Sequence, residues 1–329
     1  MIIKFWLVFL VLMGLPASAG AAPEAPVLYR QLTGGEEDYV VQKRDTIGSV
    51  AAKKGMRWQT LARINGLKET SRLKPGMVLR INSTRIVPRE LEHGLVINLP
   101  ELSLYHFEKG ALKRRYSLGL GRSGWHTPSG RFEIINKARN PTWVVPPSIQ
   151  RAMEARGEEV VTRVPPGPGN PLGPYWMATS APGVGIHATN RPWSIGHFVS
   201  HGCIRMFTEE IAELFPQIEV GTPVAIVYRT FKLALTPEGR VFLEAHPNSY
   251  RKKQDPRGQL EALLREHQLQ DRVDWEKVEQ VLKAQEGLAV DVTKTLWSSG
   301  TKAAAPVPPL EGPRPGGPSQ GADDEASLR

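Results

Sequence analysis

The chain has 329 residues, 40% of them hydrophobic, a formal net charge of +9 and a single cysteine. One cysteine excludes an internal disulfide, so this residue is a packing residue, a partner for another chain or a reactive thiol. The positive charge predicts an anionic partner. No recognition-helix pattern, zinc-finger spacing or ribonucleoprotein motif accompanies it in the sequence, which argues against nucleic acid.

Residues 1–22 are predicted to be a signal peptide. Lys4 gives the start of the chain a positive charge, an apolar run follows from Phe5 to Leu15, and Ala17-Ser18-Ala19 has the small residues of a cleavage site. The apolar run is shorter than the roughly 20 residues that a membrane-spanning helix needs, which favours a cleaved signal over the alternative, an uncleaved anchor. The sequence therefore predicts export, and a carboxylate-rich cell-wall polymer suits an exported basic protein.

Residues 23–37, rich in Ala, Pro, Gly and Glu, are predicted to be a linker, and residues 38–82 a small domain of two strands and two helices. The signals of this domain are, in chain order, the strand Tyr39–Val41, Asp45-Thr46 before a helical pattern, the helix end Asn65-Gly66, the turn Leu73-Lys74-Pro75-Gly76 and the strand Met77–Ile81. The pattern resembles the LysM module, a family that binds the N-acetylglucosamine-containing backbone of peptidoglycan or chitin. A generic βααβ domain without a ligand is the alternative.

Residues 93–229 are predicted to form a β-rich domain with few helices. Its predicted strands are Leu95–Leu99, Leu102–Phe107, Leu112–Leu118, Arg131–Ile135, Thr142–Val145, Tyr175–Thr179, Gly185–His187 and Pro223–Tyr228. One helix is predicted at Ser148–Arg156 and another from Glu209 to Phe215, with Thr208 as its N-cap. The proline-rich stretch 165–174 is predicted to be an irregular surface loop.

Residues 230–298 are predicted to be a C-terminal extension, followed by a disordered tail at 299–329 that is rich in Pro, Gly, Ala and Ser. Phe231–Leu235 and Val241–Ala245 are typical of a hairpin, and two amphipathic helices follow. Their apolar positions are Leu260, Leu263 and Leu264, then Val278, Val281 and Leu282. We expect these helices to pack on the preceding β-rich domain, the alternative being a separate partner.

The reactive groups are concentrated around Cys203, the only cysteine. His187, His197 and His201 lie within sixteen residues of it, and an imidazole within hydrogen-bond reach makes a thiol a useful nucleophile. Gly202 leaves the neighbouring backbone open, so amides there could face a developing oxyanion. Two alternatives remain at this point: a zinc site of one cysteine and three histidines, and a buried inert cysteine.

The run from His187 to Arg205 resembles the signature of the YkuD-type L,D-transpeptidases, in which a histidine and a variable stretch precede Ser-His-Gly-Cys, an apolar residue and Arg or Asn. Further matches are Gly121, Trp125-His126-Thr127-Pro128-Ser129-Gly130-x-Phe132, Asn140-Pro141-x-Trp143, the loop at 166–173 and Leu243-Glu244-x-His246-Pro247. The arrangement is similar to the ErfK/YbiS-like enzymes of the Gram-negative periplasm. The resemblance implies a mainly β fold, with a β-sandwich catalytic domain behind a LysM domain and a C-terminal hairpin with helices. It also implies a periplasmic location and no metal or organic cofactor.

The resemblance also implies residue roles. Cys203 would be the nucleophile and His187 the proton acceptor and donor, oriented by the backbone carbonyl of Ala188. The amides of His201, Gly202 and Cys203 would form the oxyanion hole, and Ser200 would brace the loop. Arg205 is expected to contact a substrate carboxylate or carbonyl, with an internal salt bridge as the alternative; Trp193 is expected to line the groove or to pack.

The implied reaction is acyl transfer in two steps. The thiolate attacks the carbonyl of the diamino acid in a stem tetrapeptide and expels the terminal D-alanine. The thioester is then resolved by an amine from another stem or from a lysine-ended wall-attached protein. Resolution by water would make the protein an L,D-carboxypeptidase, and a non-catalytic LysM wall-binding protein is the alternative of a different class.

Overall fold

Short strands and six α-helices build the residues that the computed structural model describes, which are 25–68 and 70–295. The strands are β1 Leu28–Tyr29, β2 Leu32–Thr33, β3 Glu36–Val40, β4 Val78–Asn82, β5 Arg85–Ile86, β6 Gly94–Asn98, β7 Ser103–Glu108, β8 Ala111–Ser117, β9 Leu120–Gly121, β10 Gly130–Arg139, β11 Trp143–Val144, β12 Arg163–Val164, β13 Tyr175–Thr179, β14 Gly185–His187, β15 Phe198–Ser200, β16 Ile204–Arg205, β17 Pro223–Val227, β18 Phe231–Leu235, β19 Val241–Ala245 and β20 Val290–Asp291. The helices are α1 Ile47–Lys53, α2 Trp58–Ile64, α3 Pro147–Glu154, α4 Thr208–Leu214, α5 Pro256–Glu266 and α6 Trp275–Ala284. None of these helices has the length and apolar character needed to cross a membrane. The predicted signal peptide and disordered tail lie outside the described residues.

The first small domain has the predicted order of strand, two helices and strand. β3 and β4 pair antiparallel, with Tyr39 opposite Leu79. The Thr46 hydroxyl caps α1 by accepting the Ser49 amide at 3.1 Å, and Gly66 leaves α2 at a φ of +63°, a conformation that favours glycine. The two helices and two strands enclose one apolar cluster, which explains why so short a segment folds as a unit.

The second and larger domain is built on one eight-stranded sheet that curls around its core. The strand order is β16-β14-β13-β10-β17-β6-β7-β8. Most neighbouring strands run antiparallel, whereas β6 with β17 and β14 with β16 run parallel. Buried side chains of the inner face, among them Ile97, Ile134 and Ile226, form the main core. The predicted mainly β fold is therefore confirmed, with its layers formed by a single curled sheet.

Two features differ from the sequence-based expectations. Part of the predicted linker 23–37 is ordered, because β1 pairs with β18 and β2 pairs with β5. The sequence could not predict these strands, because two residues are too few to show the alternation of apolar and polar side chains that identifies a strand. Helix α4 begins one residue earlier than expected: its N-cap is Phe207, which has no side-chain oxygen to cap the helix. The Thr208 hydroxyl instead donates to the Thr189 carbonyl at 3.4 Å.

The C-terminal extension contains the predicted hairpin, β18 with β19, which β1 and β20 extend into a four-stranded sheet. The apolar faces of α5 and α6 pack on this sheet, as Leu264 and Val278 share a buried cluster with Leu243. The helices thus pack on the hairpin of the extension itself and not on the main sheet of the catalytic domain.

A buried cluster of charges lies where the two domains and the extension meet. The Lys232 ammonium is 2.8 Å from a carboxylate oxygen of Glu101 and 3.0 Å from one of Glu244. It also donates to the Ile86 carbonyl at 2.6 Å. Glu101, Glu244 and His246 come close enough together to resemble a metal-ligand set. Because Lys232 already pairs with both carboxylates, the arrangement is a buried ion-pair network.

Candidate active site

The paired strands β14 and β16 position the two candidate reactive residues. These strands pair parallel, with Ile186 opposite Ile204 and His187 opposite Arg205. His187 therefore ends one strand, while Cys203 immediately precedes the other. Both residues line the same cavity. Parallel pairing thus brings together two groups that are sixteen positions apart in the sequence.

A glycine allows the close packing behind His187. A side chain at position 185 would meet the Trp176 ring, since a Cβ built there lies 2.3 Å from the nearest ring carbon. The Trp176 ring is in turn 5.9 Å from the His187 imidazole, measured between ring centroids. The histidine is therefore held against an aromatic wall and is only 3% exposed.

The loop that carries Cys203 is held by hydrogen bonds within it. The Ser200 hydroxyl donates to the Cys203 carbonyl at 2.6 Å and accepts the Gly202 amide at 3.2 Å. Gly202 has a φ of +106°, a conformation that L side chains rarely adopt. The expected brace by Ser200 therefore has a geometric basis. The Gly202 amide is directed at that hydroxyl, which leaves the amides of His201 and Cys203 as the candidate oxyanion donors.

A second set of hydrogen bonds fixes the same loop from outside, and sequence reasoning missed it. The Thr127 hydroxyl donates to the Gly202 carbonyl at 2.9 Å and accepts the Gly121 amide at 3.1 Å. The Tyr250 hydroxyl donates to the Gly121 carbonyl at 2.8 Å and accepts the Thr127 amide at 3.2 Å. The match at Thr127-Pro128 was a signal for this anchor, but its partner Tyr250 lies far along the chain.

A backbone carbonyl orients the His187 imidazole. Its Nδ1 donates to the Ala188 carbonyl at 2.5 Å, which leaves the lone pair on Nε2 in the neutral ring. Burial, followed by the positive charge of Arg205, lowers the pKa of His187 to about 4, and the carbonyls of Ala188 and Leu172 only partly oppose this shift. At neutral pH the ring is therefore uncharged and able to accept a proton.

The Cys203 thiol is also in its neutral form at rest. Burial raises the pKa of the thiol, although the Gly185 amide and the charge of Arg205 act in the opposite direction. The thiol donates to the Gly183 carbonyl at 3.6 Å. The resting pair is thus a neutral thiol, directed at the Gly183 carbonyl, and a neutral imidazole.

These two pKa shifts predict how alkylation of Cys203 depends on pH. Because the pKa of the thiol is raised, we expect its rate of reaction with iodoacetamide to keep rising above pH 8.5, the ordinary midpoint for a thiol being about 8.5. Intact mass measures the rate, with N-acetylcysteine in the same tube as reference. Because Cys203 is the only cysteine in the sequence, the mass increase reports alkylation of this residue alone. The Cys203→Ser variant is the control and should show no mass increase. An alkylation rate that stayed constant from about pH 6 upward would instead indicate a thiolate–imidazolium pair and would contradict this prediction.

The cavity above Cys203 has a volume of about 920 Å³, within the range of ligand-binding clefts. His187, Ser200, His201, Gly202 and Arg205 line it together with Cys203. Ala188 is buried beneath it and contributes its carbonyl. Trp193 is not among the lining residues; it lies 64% exposed on a short 3-10 helix, so the structure does not bring it together with the others.

Several lining residues were not predicted as site residues. They are contributed by the Trp125 loop, the segment from β11 through α3 to β12, the proline-rich loop and the segment that follows β14: Trp125, His126, Trp143, Ile149, Met153, Arg156, Pro171, Leu172 and Arg191. Helix α3 has no buried residue. Its apolar positions Ile149 and Met153 face this cavity, which accounts for its amphipathic sequence.

Comparison with known proteins agrees with this architecture. Residues 92–226 match the L,D-transpeptidase catalytic domain called YkuD, and residues 39–82 match the LysM domain. Probable L,D-transpeptidase YcfS of Escherichia coli K12 is 30% identical over 305 residues, covering 88% of this chain and 95% of that protein. Probable L,D-transpeptidase YbiS of the same strain is 33% identical over 198 residues, covering 60% of this chain and 64% of that protein.

Among solved structures, the NMR structure of the catalytic domain from the E. faecium L,D-transpeptidase is 25% identical, covers 42% of this chain and 98% of that chain, and has a TM-score of 0.32. The domain matches define a two-domain enzyme, with a LysM domain ahead of a YkuD catalytic domain. Since the match to YcfS spans nearly all of both proteins, the chain belongs to the L,D-transpeptidase family and is an acyltransferase.

Proposed function

We propose that the protein acts on peptidoglycan stem tetrapeptides through a thioester on Cys203. The observation that carries the proposal is that His187 ends β14 and the only cysteine immediately precedes the parallel strand β16, so that both residues line one cavity. The neutral imidazole can accept the thiol proton, which a protonated ring could not. The relatives named above, probable L,D-transpeptidases, support the same chemistry.

In the first step the thiol proton passes to Nε2 of His187 and the sulfur attacks the carbonyl carbon of the diaminopimelate residue. The developing oxyanion would be held by the amides of His201 and Cys203. Collapse of the tetrahedral intermediate breaks the bond to D-alanine, whose amine leaves with the proton from His187. A thioester and free D-alanine result.

In the second step an acceptor amine gives a proton to His187 and attacks the thioester carbonyl. The Cys203 sulfur leaves and recovers its proton, and a new amide joins donor and acceptor. An amine of another stem gives a cross-link, whereas the terminal lysine of a wall-attached protein gives protein attachment. Water in the same role would give an L,D-carboxypeptidase.

We further propose that the LysM domain binds the peptidoglycan glycan and that the protein is exported to the periplasm. Cavities border the LysM loops at Thr46 and Leu73 and the strand Glu36–Val40. The predicted signal peptide and the positive charge of the chain support an envelope location beside an anionic polymer.

Incubation of the mature protein with purified muropeptides tests the proposal, with products read by mass spectrometry. We expect free D-alanine together with dimers linked diamino acid to diamino acid. Tripeptides without dimers would assign the carboxypeptidase reaction. Absence of dimers and tripeptides, with or without a lysine-ended protein acceptor, would rule out the enzymatic proposal.

A further inference from the structure

The cavity around Cys203 carries more positive charge than the acyl-transfer chemistry requires. Three arginines line it, Arg156, Arg191 and Arg205, and a fourth, Arg122, lies 3.4 Å from the ring nitrogen Nε2 of His201. Thioester formation at a neutral amide bond needs a base and an oxyanion site, and neither role needs several guanidinium groups.

The acidic residues that the cavity contains do not balance these charges. Glu158 is the one acid among its described lining residues, and Arg156 holds it through two hydrogen bonds of 2.7 Å. Among the residues that the structure describes, Arg122, Arg191 and Arg205 form no ion pair with an acidic side chain. The Nε of Arg205 is in addition buried without a hydrogen-bond partner. The internal salt bridge that was the alternative role for Arg205 is therefore absent from these residues.

The charges also act on one another. The pKa of Arg205 is lowered by burial and next by the charge of Arg191. Burial and then the charges of Arg122, Arg205 and Arg156 lower the pKa of His201. Positive groups that repel one another in a half-buried site cost stability, and a bound anion would remove that cost.

We infer that Arg205 and Arg191, with Arg122 at the rim, form a subsite for the free carboxylates of the donor stem, so that the enzyme selects stems whose carboxyl groups are not amidated. The inference rests on the proposed function and specifies its substrate class. A stem tetrapeptide with a γ-linked glutamate and diaminopimelate has a free carboxylate on each of these residues, and both carboxylates lie on the acyl side of the bond that is cleaved. Guanidinium groups bind carboxylates through paired charge-assisted hydrogen bonds, which an amide cannot replace because it presents donors as well as an acceptor.

The test compares two donors, a disaccharide tetrapeptide with both side carboxylates free and the same compound with both amidated. D-alanine release gives kcat/KM for each donor. We expect the free form to be preferred by about 10- to 100-fold, the size expected when a charged hydrogen-bonded partner is lost. Raising the salt from about 50 to 500 mM should narrow that preference, because salt shortens the range of exposed charges.

Substitution of Arg191 tests whether the preference for the donor with free carboxylates arises from the proposed subsite. Arg191→Gln should reduce the preference at least about 5-fold, while Arg191→Lys, which keeps the charge, should retain more of it. Arg265→Gln is the matched control, since Arg265 is exposed on α5 and its removal changes the net charge equally. Circular dichroism and thermal unfolding show that each variant is folded.

The outcomes separate the inference from the proposed function. Equal rates on the two donors in the unaltered protein, or an equal loss of preference in Arg265→Gln and Arg191→Gln, would overturn the carboxylate subsite and leave the acyl transfer intact. Release of D-alanine from neither donor would overturn both proposals.

Discussion

The Cys203→Ala substitution should reduce D-alanine release by at least about 10³-fold, because the proposed reaction has no other nucleophile. The chain contains no second cysteine that could replace it. Intact mass should show a covalent adduct of the tripeptide donor on the unaltered protein and none on the variant. His187→Ala should also lose release strongly, since the raised pKa of the thiol leaves it dependent on a base.

The controls for this result concern folding and binding. Cys203→Ala removes only the thiol group from a half-buried position, so we expect a melting temperature unchanged within about 2 °C, equivalent to about 1 kcal/mol for a chain of this size. Binding of N-acetylglucosamine oligomers by the LysM domain should also persist. If Cys203→Ala released D-alanine at the rate of the unaltered protein, the thioester mechanism would be wrong. If the unaltered protein bound sugar and released none, it would be the wall-binding protein considered above.

The candidate pair of Cys203 and His187 could be proposed from the sequence because its signals are local. The Ser-His-Gly-Cys motif and His187 fall within one short segment, and the strand that carries His187 begins at Gly185. Parallel pairing of β14 and β16 then brings the two residues together. The sequence could not show whether the Gly202 amide is available to an oxyanion. In the structure this amide donates to the Ser200 hydroxyl, and that hydrogen bond depends on the path of the loop.

The supports of the site were not predictable, because they join distant positions. Tyr250 and Gly121 are 129 positions apart, and nothing in either segment indicates that one anchors the other. For Trp193 the sequence left two interpretations, a groove residue or a packing residue. The structure places its side chain 64% exposed on a short 3-10 helix and not among the residues that line the cavity.

The buried charge cluster is the second feature that only the fold could reveal. Lys232 comes from β18, Glu244 from β19, and Glu101 from the turn between β6 and β7. All three side chains are at most 1% exposed. Arg85 lies beside both carboxylates, 3.9 and 4.0 Å away, and donates to the Gly55 carbonyl of the LysM domain at 2.8 Å. The cluster therefore connects the LysM domain, the main sheet and the extension.

The Lys232→Met substitution should lower the free energy of unfolding by about 3–5 kcal/mol, because it removes the one ammonium group that pairs with both buried carboxylates. Urea unfolding followed by tryptophan fluorescence measures the change. Lys283→Met is the matched control: Lys283 is exposed on α6, so its loss should cost less than about 0.5 kcal/mol. A Lys232→Met variant as stable as the Lys283→Met control would show that the cluster contributes nothing.

The pH dependence of this loss follows from the carboxyl pKa values. Although burial opposes it, the charge of Lys232, with those of His246 and Arg85, lowers the pKa of Glu101 to about 2. The folded pKa lies below the unfolded value of about 4.3, so the stability from this group is complete above about pH 4.3 and is lost as the pH falls toward 2. Without Lys232 the buried carboxyls should protonate more readily in the folded state, which relieves their unpaired charge. The difference in unfolding free energy between Lys232→Met and the unaltered protein should therefore shrink between pH 7 and pH 4, and a difference that widened over that range would contradict the assignment.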